Sequence, residues 1–243
     1  MPRVFNQKIK ILYLMRVFLE RTDEEHPMSV KELIIYLNSL GISAERKTVY
    51  DDIETLRIFG MKIENRREKP SGYYLADRDF SFPELKILMD AVQSSRFITE
   101  RQSRELVRKL EHLTSISEAK RLQSQTSVLS GSKAVNREIY DSIQKICDAM
   151  ADNRQICFNY YEWDFSRELK PKRDGARYRV SPWKMIWNNE NYYLIGLDER
   201  NGIVKHYRVD KIMHVSIESQ KRNGEDIFRN FDFQKYISGT FGM

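Results

Sequence analysis

The run Arg46, Lys47, Thr48, Tyr50 and Asp51 places several hydrogen-bonding side chains on a short stretch of chain, and Arg66, Arg67 and Lys69 add a basic group further on. Lys47 can donate to guanine or to phosphate. Thr48 and Tyr50 can reach phosphate or a thymine methyl, and Asp51 can accept from cytosine but repels phosphate. The later cations suit phosphate positioning, although Glu64 and Glu68 are interleaved with them. A second set lies far along the chain: Arg179, Ser181, Tyr193, His206, Arg208 and Lys211. Arginine can fork onto a phosphate while an aromatic ring stacks on a base.

Other chemistries find little support. His26, His112, His206 and His214 are scattered without metal-ligand spacing, and Cys147 and Cys157 form no CxxC pair. No nucleophile elbow and no phosphate-binding glycine loop occurs. The expectation is a protein that is not an enzyme and has neither cofactor nor metal.

The elements that must carry these residues follow from hydrophobic period. Ile11, Leu12, Met15, Phe18 and Leu19 suggest one helix, and Val30, Leu33, Ile34 and Leu37 a second. Ser29 and Glu32 stand before the second at capping-box spacing, and Gly41 breaks the chain. A third helix, capped by Ser43, turns Val49, Ile53 and Leu56 inward and stops at Gly60. Lys47, Thr48, Tyr50 and Asp51 then face outward, and Asp52 either pairs with Arg57 or caps the fold locally. Residues 62–75 read as a short β-hairpin around Pro70-Ser71-Gly72.

Leu85, Leu88, Met89 and Val92, then Leu106, Leu110 and Leu113, mark further helices before a Ser-rich linker at 124–133. Ile139, Ile143, Ile146 and Met150 mark one more. From about residue 155 the period turns strand-like. Segments at 177–187, 192–197, 203–209 and 212–217 predict a bent antiparallel sheet, with a turn at 188–191 and an Asn201-Gly202 hairpin. His206 and Arg208 share one face of their strand, and Trp183 and Trp187 are expected in the core.

The 243 residues carry a net charge of +6 and a pI near 9.1, which favours a polyanionic partner. No apolar run approaches the ~20 residues of a membrane helix. Two cysteines without a disulfide-like framework, expected to be buried as small apolar groups, fit a reducing compartment, so a cytoplasmic protein without a membrane partner is expected.

The segments MSVKELIIYL and KTVYDDIETL, the Gly60 stop and the SGYYL wing resemble the DeoR-type helix-turn-helix regulators. Most of those carry a basic residue where this chain has Asp51. The β segment resembles the WYL domain, a sensor module often fused to such a head. The resemblance lies in Arg179-Val180-Ser181-Pro182-Trp183, Tyr192-Tyr193-Leu194 and Tyr207-Arg208-Val209-Asp210-Lys211-Ile212, with Tyr192 in place of the name-giving tryptophan.

The resemblance implies an α+β chain: a winged helix-turn-helix head (1–77), a helical linker or dimerisation block (78–132), and a small Sm-like antiparallel β-barrel (133–243). In similar proteins residues 236–243 lead into a C-terminal extension, so a truncated or shortened form is expected. The implied activity is transcriptional regulation: a homodimer on a double-stranded DNA operator, with a nucleic-acid or nucleotide-like effector on the β domain. One alternative is a module that binds single strands or RNA mainly through the β domain. Another is a structural dimerisation protein whose charged faces are only solvated. For the sheet itself the alternative is a half-buried sheet with a polar outer face, where Arg208 pairs with Asp210 of a neighbouring molecule or with an internal carboxylate and Tyr193 fills core.

Overall fold

A computed structural model describes residues 3–125, 133, 136–164 and 168–241; most of the Ser-rich stretch 124–133 lies outside them. The chain divides into two compact units, Met1–Ser94 with Arg101–Leu129, and Ser95–Glu100 with Ser130–Met243.

The first unit opens with α1 (Arg3–Arg21), α2 (Val30–Ser39) and α3 (Arg46–Phe59), followed by the antiparallel pair β1 (Ile63–Arg66) and β2 (Gly72–Leu75). Leu14, Val17 and Phe18 of α1 pack with Leu33 and Leu37 of α2, with Val49, Ile53 and Leu56 of α3, and with Ile63 and Leu75 of the hairpin. The expected α1 stripe is therefore rotated: Leu12 and Leu19 are 57% and 41% exposed. Residues 11–19 are apolar on nearly every side, so period alone cannot choose the inward face; packing against α2 and α3 chooses it.

The capping box forms as expected, with the Glu32 amide donating to Ser29 Oγ and the Ser29 amide donating to the Glu32 carboxylate at 2.7 Å. Gly41, at φ 75°, lets the chain turn and its amide reach the Asn38 carbonyl at 2.9 Å. The expected Ser43 cap does not form. Residues 42–45 lie outside any helix with Ile42 buried in the core, and α3 begins only at Arg46, with Glu45 at its N-cap. Gly60 closes α3 in the left-handed conformation, as its position implied.

Before α2, Met28 pairs with Tyr73 as a one-residue extension of the hairpin sheet, through bonds of 2.9 and 2.8 Å. Gly72 permits this approach, since a Cβ there would lie 2.4 Å from the Met28 carbonyl carbon.

Three further helices, α4 (Phe82–Ser94), α5 (Glu100–Glu111) and α6 (Ile116–Gln125), bury Leu85, Met89, Val107 and Leu122 among themselves. Leu88 and Leu113, expected inside, are 37% and 40% exposed. Buried Asp23 ties this group to the end of α1: it accepts from Ser115 Oγ at 2.5 Å, and the same Oγ accepts from the Glu118 amide at the start of α6. Arg78 donates to the Leu19 and Thr22 carbonyls at 2.8 and 2.7 Å, satisfying acceptors that α1 leaves open at its C-terminus.

The second unit contains α7 (Ile139–Ala151), β3 (Arg154–Trp163), β4 (Leu169–Pro171), β5 (Tyr178–Asn188), β6 (Asn191–Asp198), β7 (Ile203–Arg208) and β8 (Ile212–Lys221). It ends in α8 (Glu225–Phe228) and α9 (Phe233–Phe241). The sheet runs β8–β3–β5–β6–β7 with antiparallel pairing throughout, and β4 pairs with the far end of β3. Register shifts within the β3–β8 and β5–β6 pairs curl it. The two edge strands, β7 and β8, do not pair among the described residues, so the strongly bent antiparallel sheet that was expected takes the form of a curled half-barrel.

The β5–β6 hairpin turns on Asn189 and Glu190, both at positive φ, as a two-residue connection requires. One face gathers the rings of Phe158, Tyr160, Tyr178 and Tyr207, with centroids 5.3 to 6.5 Å apart. The other face, with Ile195 and Leu197, packs against Phe228, Phe231, Phe233 and Tyr236. No helix among the described residues is long and apolar enough to cross a membrane.

Candidate nucleic-acid interface and effector cavity

In the first unit, burying Val49, Ile53 and Leu56 leaves Arg46, Lys47, Tyr50 and Asp51 exposed on α3. Thr48 is half-buried and donates its hydroxyl to the Glu45 carbonyl at 2.9 Å. The Arg46 guanidinium sits 5.8 Å over the Tyr50 ring and donates to its hydroxyl at 3.3 and 3.4 Å. Tyr50 in turn meets Tyr73 of β2 edge-on at 6.2 Å. The interactions orient Arg46 and Tyr50 toward the hairpin rather than leaving them as free surface side chains.

A concave face of 640 Å³ joins these elements, with Lys31, Arg46, Tyr50, Asn65, Arg66 and Arg67 among its walls. Arg66 is braced, donating from Nη1 to the Glu24 carbonyl at 2.7 Å. Lys69 is exposed on the hairpin turn and does not line the face. Lys31 and Asn65 were not singled out from sequence. The capping box, which fixes the first turn of α2, was the available signal for Lys31.

The acidic residues of α3 take different partners from those expected. Asp52 pairs with Lys10 of α1 at 2.8 Å, not with Arg57. Arg57 pairs with Glu54 at 3.2 Å and donates to the Ile63 carbonyl. Asp52 and Arg57 are five residues apart on a helix, which sends them to different faces, whereas Glu54 is three away.

In the second unit, a cavity of 320 Å³ is walled by Arg96, Lys133, Arg208 and Lys211, with Asp210, Glu190, Asn191 and Trp163. Arg208 lies at the end of β7, and its guanidinium forks onto Asp210: Nε and Nη2 donate at 3.1 and 2.8 Å. Nη2 also donates to Asn191 Oδ1 at 2.8 Å. The Asp210 bond holds the Arg208 pKa above its usual range. Burial, with repulsion from Arg208, pushes Lys211 below its usual range. Buried Asn136 donates to the carbonyls of Asp210 and Ile212 at 3.1 and 2.9 Å, fixing the turn that presents Asp210 and Lys211.

Of the six side chains expected at this site, Arg208 and Lys211 reach the cavity. Tyr193 is buried opposite Arg208 in the β6–β7 register. Ser181 is wholly buried, donating to the Glu199 carboxylate and accepting from the Asn223 amide at 2.8 Å; it braces the fold. Arg179 is exposed on β5 away from the cavity, since its neighbours Tyr178 and Val180 point inward. His206 turns toward Tyr236 of α9, whose hydroxyl lies 3.1 Å from Nδ1.

Sequence reading missed Arg96, Lys133, Asn191 and Trp163, which come from separate segments with no shared motif. Trp187, expected in the core, is 52% exposed, although its ring packs edge-on against Phe97 and Tyr192. Trp183 does pack inward, stacked on Phe228 at 4.8 Å.

Four cations against two carboxylates, beside an indole that is 49% exposed, make a site suited to an anion that also carries a flat ring. Residues 141–217 match the WYL domain family, so the curled sheet of the second unit contains a WYL domain. Among solved structures, the chain is similar to proteasome accessory factor B/C (PafBC) of Arthrobacter aurescens, with a TM-score of 0.31 and 19% identity. The alignment covers 94% of this chain and 35% of that one, so the chain spans about a third of its length. A comparison with curated proteins gave no match.

Proposed function

We propose that the chain is a transcriptional regulator whose first unit is a winged helix-turn-helix that binds duplex DNA. Its second unit senses a nucleic-acid or nucleotide-like effector. The observation that carries the reading is the basic concave face of the first unit, where Arg46, Tyr50, Arg66, Arg67 and Lys31 converge from α2, α3 and the hairpin. In this reading α3 enters the major groove and the hairpin lies along phosphate. A symmetric homodimer would place two such heads on a pseudo-palindromic operator. The chain works in the cytoplasm and performs no catalysis.

The cavity at Arg208 and Lys211 supports the sensing half, since its cations can hold phosphate while Trp163 stacks on a base. For regulation, the effector must bind one arrangement of the heads better than the other. The same cavity favours a second reading, in which the second unit is the main binder of single strands or RNA.

A salt titration of binding to duplex DNA from the protein's own upstream region tests the first half. Sequence-selective binding that weakens in a Lys47→Ala/Arg67→Ala variant is expected. Binding that is equal for all duplexes and indifferent to the double change would move the main nucleic-acid surface to the second unit.

A further inference from the structure

The helix α3 carries three acidic residues within one turn, Asp51, Asp52 and Glu54, and they are not equivalent. Asp52 is neutralised by Lys10 at 2.8 Å, and Glu54 by Arg57 at 3.2 Å. Asp51 is exposed and takes part in no ion pair among the described residues. Lys47 precedes it by one turn, the less favourable order for a helical pair, and does not close on it. At about 100° per residue, Lys47 and Asp51 lie almost opposite the buried stripe of Val49, Ile53 and Leu56. The unpaired carboxylate thus stands on the ridge of α3 that projects furthest from the core.

A bare carboxylate is an acceptor without a donor. Against a phosphate it is repelled. In the major groove it also meets acceptors on guanine (N7 and O6), thymine (O4) and adenine (N7). Cytosine alone offers the N4 amino donor with no acceptor on its own edge.

We propose that Asp51 is a specificity-determining residue: its carboxylate accepts the N4 hydrogen of a cytosine at one position of each half-site and disfavours duplexes that present acceptors there. The inference rests on the DNA-binding reading given above. It assigns discrimination to a repulsive element, so Asp51 lowers affinity for most DNA while sharpening the choice among sequences. Arg46 and the hairpin cations supply the attraction that the carboxylate removes.

The test is a selection from a duplex library with randomised positions, using the full chain and its Asp51→Asn variant, with base frequencies read from each enriched pool. Asparagine keeps the size and shape of the exposed side chain, and the Thr55 hydroxyl bond to the residue 51 carbonyl is unaffected. The wild type is expected to fix one C·G pair per half-site. The variant should lose about tenfold of that preference, or exchange it for adenine, which an amide can read, while other positions stay as they were. Its affinity for duplexes outside the selected pool should rise several-fold. Enrichment of the same bases by both proteins would overturn the role of Asp51 and leave the DNA-binding reading standing. Failure of the wild type to enrich any sequence would overturn that reading, and this inference with it.

Discussion

Arg208 holds Asp210, two residues away, through both carboxylate oxygens, at 3.1 and 2.8 Å, and holds Asn191 through the same Nη2. A guanidinium has five donors. This geometry leaves Nη1 for a ligand and keeps the plane of the group fixed against the cavity wall. Asp210 therefore has two opposed effects: it orients Arg208 and it cancels part of its charge.

With Asn191 still holding Nη2, the charge effect should dominate when Asp210 is neutralised. Asp210→Asn is expected to tighten binding of a 5′-phosphorylated single-stranded oligonucleotide several-fold, and Arg208→Ala to weaken it at least about tenfold. Calorimetric titration of the two variants checks this. Weaker binding by Asp210→Asn would mean that orientation, not charge, is the contribution of Asp210.

The hairpin arginines should separate in the same way. Arg67 is exposed, whereas Arg66 is tied to the Glu24 carbonyl at 2.7 Å. Arg67→Ala should reduce the slope of log affinity for duplex DNA against log salt by about one phosphate contact and leave stability unchanged. Arg66→Ala should also lower the unfolding midpoint, because it releases the loop before α2. Equal salt slopes for wild type and Arg67→Ala would remove Arg67 from the DNA contacts.

Local signals carried the first unit well. The Ser29–Glu32 box, the stops at Gly41 and Gly60 and the inward stripe of α3 all act within a few residues, and the structure forms each of them. What the sequence withheld depends on distant partners. Residues 11–19 are too uniformly apolar to reveal their inward face, and Asp52 found Lys10 rather than its nearer neighbour Arg57. The cavity was legible only at Arg208 and Lys211, which share one short segment. Arg96, Lys133 and Trp163 are brought there by chain segments that lie far apart in sequence. Ser181 shows the converse: it belongs to a recognisable run of residues, yet packing buries it completely.

Asp198 is 1% exposed and accepts from Lys205 Nζ at 2.6 Å, with Arg173 3.4 Å away. Burial works to raise its pKa, but the Lys205 bond, the Arg200 amide and the nearby charges outweigh it and hold the carboxyl below its usual range. Lys205→Met should destabilise the second unit by about 3 kcal/mol, since a buried charge would lose its closest partner. Denaturant unfolding followed through the aromatic signals measures this. A change below about 1 kcal/mol would show that Arg173, the Arg200 amide and the Tyr207 hydroxyl together compensate Asp198 without Lys205.

His206 gives the protein a pH dependence whose sign follows from its burial. Its Nδ1 lies 3.1 Å from the Tyr236 hydroxyl, and its ring packs against Tyr193 and Tyr236 at 6.2 and 6.1 Å. Burial lowers its pKa, so the folded protein takes up this proton less readily than the unfolded chain does. The stability linked to His206 is present above the unfolded pKa of about 6.5 and is lost as pH falls through the lower folded value. Burial raises the pKa of the neighbouring Tyr236, so its hydroxyl stays neutral through that window. Between about pH 7.5 and 5.5 the unfolding midpoint should therefore fall, and α9, which Tyr236 anchors, should lose amide-exchange protection first. In His206→Gln, which keeps a polar partner for Tyr236 but cannot take up the proton, the slope should flatten. An unchanged slope in that variant would place the acid sensitivity of this window in a group other than His206.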